Sequence, residues 1–273
     1  MDSLFFQRKR AGWVALVFFT TAFACSEPGH PPRLEAPSLL PAHQKNVRIA
    51  TPKAAFGLIK HLARNYMDEG KGRSVIVEEP LAGNGPQLAY EAGLVNVAVG
   101  IEWRAEETAN EFARTELVLA LGPGIADRQL SLERLAQFVQ PNEKITSSDG
   151  LIKYLSRSLH DPLTRLFKDA YPQLSIPILK AAQRVRVAAD EDAMACPRKT
   201  AVKRNSFCLA LEGNLRMYGI PTWIGRLPTR PSEISLTVNV SEKHQAAQEF
   251  FKYLLSSQGQ GALLELGFRR VVQ

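Results

Sequence analysis

Between residues 47 and 100 the apolar positions alternate between a strand period and a helical one. Val47–Ala50 reads as a short apolar strand. From Ala54 to Met67, Phe56, Leu58, Ile59, Leu62 and Tyr66 fall near helical spacing, which predicts a helix packed on a sheet. Ser74–Val77 is a β-branched run, Ala82-Gly83-Asn84-Gly85-Pro86 breaks the chain, Gln87–Ala92 reads as a short helix and Val95–Val99 as a further strand. Strands alternating with helices predict a parallel α/β sheet. Ligands bind such sheets at the carboxyl ends of the strands, where the free N–H groups of helix starts favour an anion. The two strand-to-helix loops therefore supply the first candidate ligand residues: Thr51, Lys53 and Ala54 in one, Asn84 and Gly85 in the other. Lys53 is either a solvated lysine or an anion contact. Asn84, set between glycines, either takes a left-handed turn conformation or donates to the ligand.

Downstream the pattern is less regular. The polar stretch Glu106–Ala113 predicts helix or loop. Thr115–Leu121 predicts a strand stopped by Gly122-Pro123-Gly124, a natural crossing between lobes. Leu130–Val139 reads as a helix with Ser131 as a cap, Leu151–Leu155 as a strand, and Asp161–Ala170 as a helix that tolerates Pro162 in its first turn. Leu174–Leu179 and Val185–Ala188 are strand-like, Ala189–Leu211 is irregular, and Pro221–Ile224 is a short strand. Glu233–Val240 alternates cleanly as a strand. His244–Leu255 is an amphipathic helix, and Gly259–Leu266 is a second one ending at Gly267.

A length of 273 residues suits one large or two medium domains. The net charge of +7 fits nucleic acid, an anionic membrane surface or an anionic solute. No nucleic-acid motif is present and no aromatics interleave with a basic stripe, so nucleic acid is set aside. The N-terminus narrows the choice further. Arg8, Lys9 and Arg10 precede an apolar run, Ala11–Ala24, that is shorter than the roughly 20 residues a membrane span needs but suits a signal peptide over 1–24. Its ending, Ala22-Phe23-Ala24-Cys25, resembles the lipobox of bacterial lipoproteins, with Cys25 as the lipidated residue. Pro28, Pro31, Pro32, Pro37 and Pro41 then mark 25–45 as a semi-extended tether. If Cys25 carries lipid, two of the three cysteines remain. In an oxidising compartment Cys196 and Cys208 are expected to pair, for about 3 kcal/mol in the chain-entropy model; two buried thiols are the alternative. No His or third Cys stands at metal-ligand spacing, so no metal is expected. No nucleophile elbow, zinc-helix motif or paired nucleophile and base is visible, so neither a catalytic residue nor a cofactor is expected.

The C-terminal stretch is the most specific. Leu254, Ser256, Gly259 and Gln260, followed by Gly267-Phe268, keep the spacing Leu-x-Ser-x-x-Gly-Gln and then Gly-Phe. This resembles the closing helices of type II periplasmic binding proteins of the phosphate- and molybdate-binding branch. On that resemblance Gly259 breaks the first helix, Gln260 opens the second and Gly267 caps it. Val47–Thr51 resembles the family's first strand and ligand loop, Gly83-Asn84-Gly85 its second loop, and Leu130–Leu135 the helix that opens its second lobe. The resemblance implies a two-lobed α/β fold with mixed sheets flanked by helices and two crossover strands as a hinge. It places lobe one at 46–123 and 236–273 and lobe two at 124–235. It also implies a receptor that delivers a small anionic solute to the permease and ATPase of an ABC importer; with the lipobox-like ending at Cys25, the expectation is a monomeric, membrane-anchored lipoprotein on the periplasmic side of the cell envelope.

The resemblance further assigns Glu102 as a proton acceptor for a protonated oxyanion, and Arg157 with Ser158 as ligands from the facing lobe. Here the chain departs from the pattern. Asp161, Pro162 and Leu163 stand where phosphate-binding relatives carry Ser-Gly-Thr. An Asp repels phosphate unless one of the two is protonated, and Pro removes a backbone donor. A sensory or accessory lipoprotein that has left transport is the alternative reading.

Overall fold

Strand β1 (Val47–Ala50) occupies the residues its apolar pattern predicts. The structure is a computed structural model that describes residues 46–69, 74–104, 110–125, 146–147, 150–151, 153–154, 162–172, 194–204, 206–227 and 232–271. All of them fall in one compact unit, Pro37–Gln273. The expected signal peptide, Cys25, the tether, the helix Leu130–Val139, the strands at 174–179 and 185–188, and Arg157, Ser158 and Asp161 lie outside the described residues.

From β1 the chain enters α1 (Lys53–Asp68). Ala54, Ala55, Leu58, Ile59, Leu62, Ala63 and Tyr66 form its buried stripe, the spacing that lays one helix face on a sheet. β2 (Val75–Val77), α2 (Gly85–Glu91) and β3 (Val97–Trp103) follow. β1 pairs in parallel with β2 on one side and with β3 on the other. β10 (Glu233–Val240) is inserted antiparallel between β3 and β4 (Glu111–Leu121). The full order is β2-β1-β3-β10-β4-β8-β7, with β8 (Ser206–Leu211), the short parallel strand β7 (Lys153–Tyr154), and β9 (Trp223–Gly225) also laid on β4. A separate ladder joins β5 (Thr146–Ser147) to β6 (Gly150–Leu151).

β4 belongs to two ladders. Glu111–Glu116 pairs with β10, whereas Leu117–Leu121 pairs with β8 and β9. Its second half, Leu-Val-Leu-Ala-Leu, is buried on both faces, as a near-continuous apolar run should be. Leu117, Leu119 and Leu121 join the main core, while Val118 and Ala120 join a second cluster with Met194, Cys208, Ala210 and Leu215. The change of ladder falls at Glu116–Leu117, upstream of the Gly122-Pro123-Gly124 stop.

Two stretches differ from expectation. Glu111–Ala113, the end of the stretch Glu106–Ala113 read as helix or loop, opens β4; Glu111 and the Arg114 that follows obscured the strand pattern. The stretch 189–211, read as irregular, contains a helix, α4 (Ala195–Val202), and β8. The structure does not show the expected disulfide between Cys196 and Cys208. Cys208 is fully buried on β8 and Cys196 packs against the same apolar cluster from α4, a setting in which cysteine serves as a small hydrophobe. A disulfide requires a particular approach of the two Cβ atoms, which helix-on-strand packing decides and sequence separation does not.

The remaining helices are α3 (Pro162–Ala170), α5 (Glu212–Met217), α6 (Gln245–Leu255) and α7 (Ser257–Glu265). Ser256, rather than Gly259, separates the last two: it ends α6 and caps α7, its hydroxyl accepting from the Gly259 N–H at 3.2 Å. Gly259 lies inside α7 and has to be glycine, since a Cβ there would come within 2.2 Å of the Tyr253 carbonyl oxygen. Gly267 follows α7 at φ +84°, the left-handed position expected of it. No helix among the described residues is long and apolar enough to cross a membrane.

A chain of ion pairs runs beside the point where β4 changes ladder. Arg216 reaches Glu212 at 2.7 Å, and Arg226 reaches the two Glu212 carboxylate oxygens at 3.0 and 3.3 Å. Arg226 and Arg269 both pair with Glu116. Arg269 and Arg104 then share Glu233, at 3.2 and 3.0 Å.

Candidate functional site

A hollow of about 210 Å³ opens beside the carboxyl ends of β1 and β3. Its floor is one face of the β3–β10 pair. Gly100 lies opposite Thr237, and Ala98 opposite Asn239, and directly opposed residues share a face. Gly100 has to be glycine for the two strands to meet in this way, since a Cβ there would lie 2.6 Å from Thr237 Oγ1. Glu102, on the same face of β3, lines the hollow and is exposed. The start of α2 contributes Gly83, Asn84, Pro86 and Gln87, α3 contributes Pro162 and Arg165, and Pro52 comes from the start of α1.

The side chains around the rim hold one another. Arg165 Nη1 donates to Asn84 Oδ1 at 2.6 Å, joining α3 to the α2 loop across the hollow. Asn239 Nδ2 donates to Gln87 Oε1 at 2.6 Å, and Gln87 Nε2 donates to Glu91 at 2.9 Å. Arg165 is a guanidinium with several donors and only one of them on Asn84, so it retains capacity for an oxygen ligand in the hollow.

Of the residues expected from the sequence, the structure brings Asn84 and Glu102 together here. Asn84 has φ −89°; the left-handed residue of that loop is Gly83, at φ +56°. Gly85 faces away, its missing Cβ directed at the Leu81 side chain 2.8 Å off. The first loop is packed shut. Thr51 is fully buried, and its hydroxyl turns onto the Pro52 carbonyl at 3.3 Å. Ala54 is buried, its carbonyl accepting from Asn214 Nδ2 at 2.7 Å. Lys53 is half-buried at the start of α1, and only Pro52 of this loop is among the described residues lining the hollow.

Sequence reasoning missed Arg165, Gln87, Thr237 and Asn239. A signal for Arg165 was there. In Pro162–Ala170 the helical period sends Leu163, Leu166 and Phe167 into the core and leaves Arg165 exposed, one turn from Pro162. Thr237 and Asn239 belong to the polar half of the clean alternation in Glu233–Val240, a pattern that carries no signal for a ligand. Among the described residues, no group of three or more His, Cys, Asp or Glu side chains is arranged to hold a metal ion.

No protein-family model matches the sequence, and no curated protein matches it. Solved structures do. A substrate-binding protein from Clostridium perfringens, assigned to a phosphate ABC transporter and crystallised with bound phosphate, matches with a TM-score of 0.58 at 15% identity, over 83% of this chain and 100% of its own. The fold is that of the periplasmic binding proteins. The periplasmic molybdate-binding protein of Azotobacter vinelandii matches with a TM-score of 0.54 at 15% identity, over 83% of this chain and 99% of its own. An ABC-type phosphate transport receptor from Vibrio cholerae gives 0.51 at 13% identity, over 83% and 100%. At such identities the periplasmic binding protein fold is shared, and the contents of the hollow have to be argued from its own side chains.

Proposed function

We propose that the chain is a solute-binding protein of the cell envelope that captures a small oxyanion for an ABC importer. The observation that carries this reading is the Arg165–Asn84 contact across the hollow, in a fold whose solved examples include phosphate and molybdate binders. A guanidinium opposite an amide at the end of a sheet suits an anionic group arriving between them. In this reading the protein binds and releases its solute unchanged, and no side chain acts as a catalyst. Lobe one comprises 46–123 and 236–273, lobe two comprises 124–235, and hinge bending at the crossings closes them. A lipid on Cys25 holds the monomer at the membrane, on the 25–45 tether, beside a permease and its ATPase.

Titration calorimetry of the full chain against phosphate, sulfate, molybdate and tungstate tests the reading. Saturable heat from at least one is expected, reduced by Arg165→Ala. Silence from all four at millimolar concentration argues against oxyanion capture. A second reading, a sensory or accessory lipoprotein on the same fold, draws on Pro162. It opens α3 at the hollow, where phosphate-binding relatives resembled by this sequence carry Ser-Gly-Thr. Permease and ATPase genes beside this one would count against that alternative.

A further inference from the structure

We propose that the solute is a small hydroxylated organic anion, such as a sugar acid or sugar phosphate, rather than a bare inorganic oxyanion. This rests on the hollow being the solute site. Three helices begin there, and each sets a proline at the opening: Pro52 immediately before α1, Pro86 as the second residue of α2, and Pro162 as the first residue of α3. Each proline lacks the N–H that a bare oxyanion would use and places an apolar ring in the wall instead. Among the described residues the Arg165 cation shares the hollow with the Glu102 side chain, so there is a place for one anionic head group and the rest of the solute meets neutral groups.

The remaining polar groups, Gln87, Thr237 and Asn239, both donate and accept hydrogen bonds. Hydroxyl groups match that mixture; sulfate offers acceptors only, and hydrogen phosphate offers a single donor beside its acceptors. The Asn239–Gln87 bond at 2.6 Å holds two of these groups in place before any ligand arrives. Size agrees. A volume of about 210 Å³ is far more than the roughly 30 Å³ share of one water, and below the roughly 300 Å³ at which pockets for drug-sized molecules begin. The anionic head would meet Arg165 and Asn84, the carbon skeleton would lie on the proline rings, and the hydroxyls would meet the amides.

The test is calorimetry of the full chain with gluconate, glucose 6-phosphate, glucose, inorganic phosphate and sulfate. Gluconate or glucose 6-phosphate is expected to bind roughly a hundredfold tighter than phosphate or sulfate, with glucose too weak to detect. Asn239→Ala should weaken the organic ligand roughly tenfold, with an unchanged thermal melt showing that the fold is intact. Phosphate or sulfate binding tighter than both organic anions would overturn this inference and leave the proposed function standing. Binding by none of the four anions at millimolar concentration would overturn both.

Discussion

Gln260 is 6% exposed and fastens three segments at once. Its Nε2 donates to the Phe112 carbonyl of β4 at 2.9 Å and to the Leu254 carbonyl of α6 at 2.7 Å, and its Oε1 accepts from the Val271 N–H at 2.9 Å. Gln260→Leu keeps the bulk and leaves those buried backbone groups without partners, at about 3 kcal/mol in total. The melting temperature should fall by roughly 6–12 °C for a chain of this size, which calorimetry or circular dichroism would register. A drop under a degree or two would mean that water takes over these bonds. The residue itself stood out in the sequence, within the Ser-x-x-Gly-Gln spacing, but its task did not. A side chain that reaches partners 148 residues away leaves no trace in local periodicity. Arg165 shows the same limit from the other side: its exposed position on a helix was readable, whereas its partner Asn84, 81 residues earlier, was not.

At the scale of elements, the pattern succeeded where one physical force acted. β1 and β10 have the predicted bounds because simple burial sets them, and α1 extends one residue past its reading at each end. It failed at the opening of β4, where Glu111 and Arg114 sit in a strand because they satisfy each other, Arg114 donating to Glu111 at 2.8 and 2.9 Å; Glu116, inside the part read as a strand, is held by Arg226 and Arg269. The same charges make the fold sensitive to acid. Burial alone would push the Glu212 carboxyl up, but hydrogen bonds from Arg226 and Arg216 outweigh it and hold the group below its ordinary value of 4.5. The unfolded chain takes up that proton first as pH falls. The contribution of Glu212 is therefore complete above about pH 4.5 and is lost as pH drops through the lower folded value. A plot of melting temperature against pH should fall more steeply below 4.5 in the wild type than in Glu212→Gln; superimposable slopes would rule Glu212 out as a source of acid sensitivity.

For the molecule as a whole, the decisive fact is that one core cluster includes Val47 and Leu58 from the first α/β unit, Leu163 and Phe167 from α3, and Phe207 and Leu209 from β8. A continuous core melts as one unit. Scanning calorimetry of the full chain is therefore expected to give a single transition whose calorimetric and van't Hoff enthalpies agree; two resolved peaks would show that the parts on either side of β4 fold separately. The α/β class and the periplasmic-binding-protein resemblance were both visible in the sequence. Which strand joins the two ladders was not, because an apolar run reads the same whether it serves one ladder or two.

That shared strand also limits how the protein can be dissected. A fragment ending near residue 122 would keep β4 but strip β8 and β9 from its second half, leaving an apolar edge of unpaired amides and carbonyls. The complementary fragment would lack the strand on which its own sheet is laid. Truncation is thus expected to yield aggregating pieces rather than two working modules, and circular permutation through β4 should be lethal to folding where permutation at an exposed loop is tolerated.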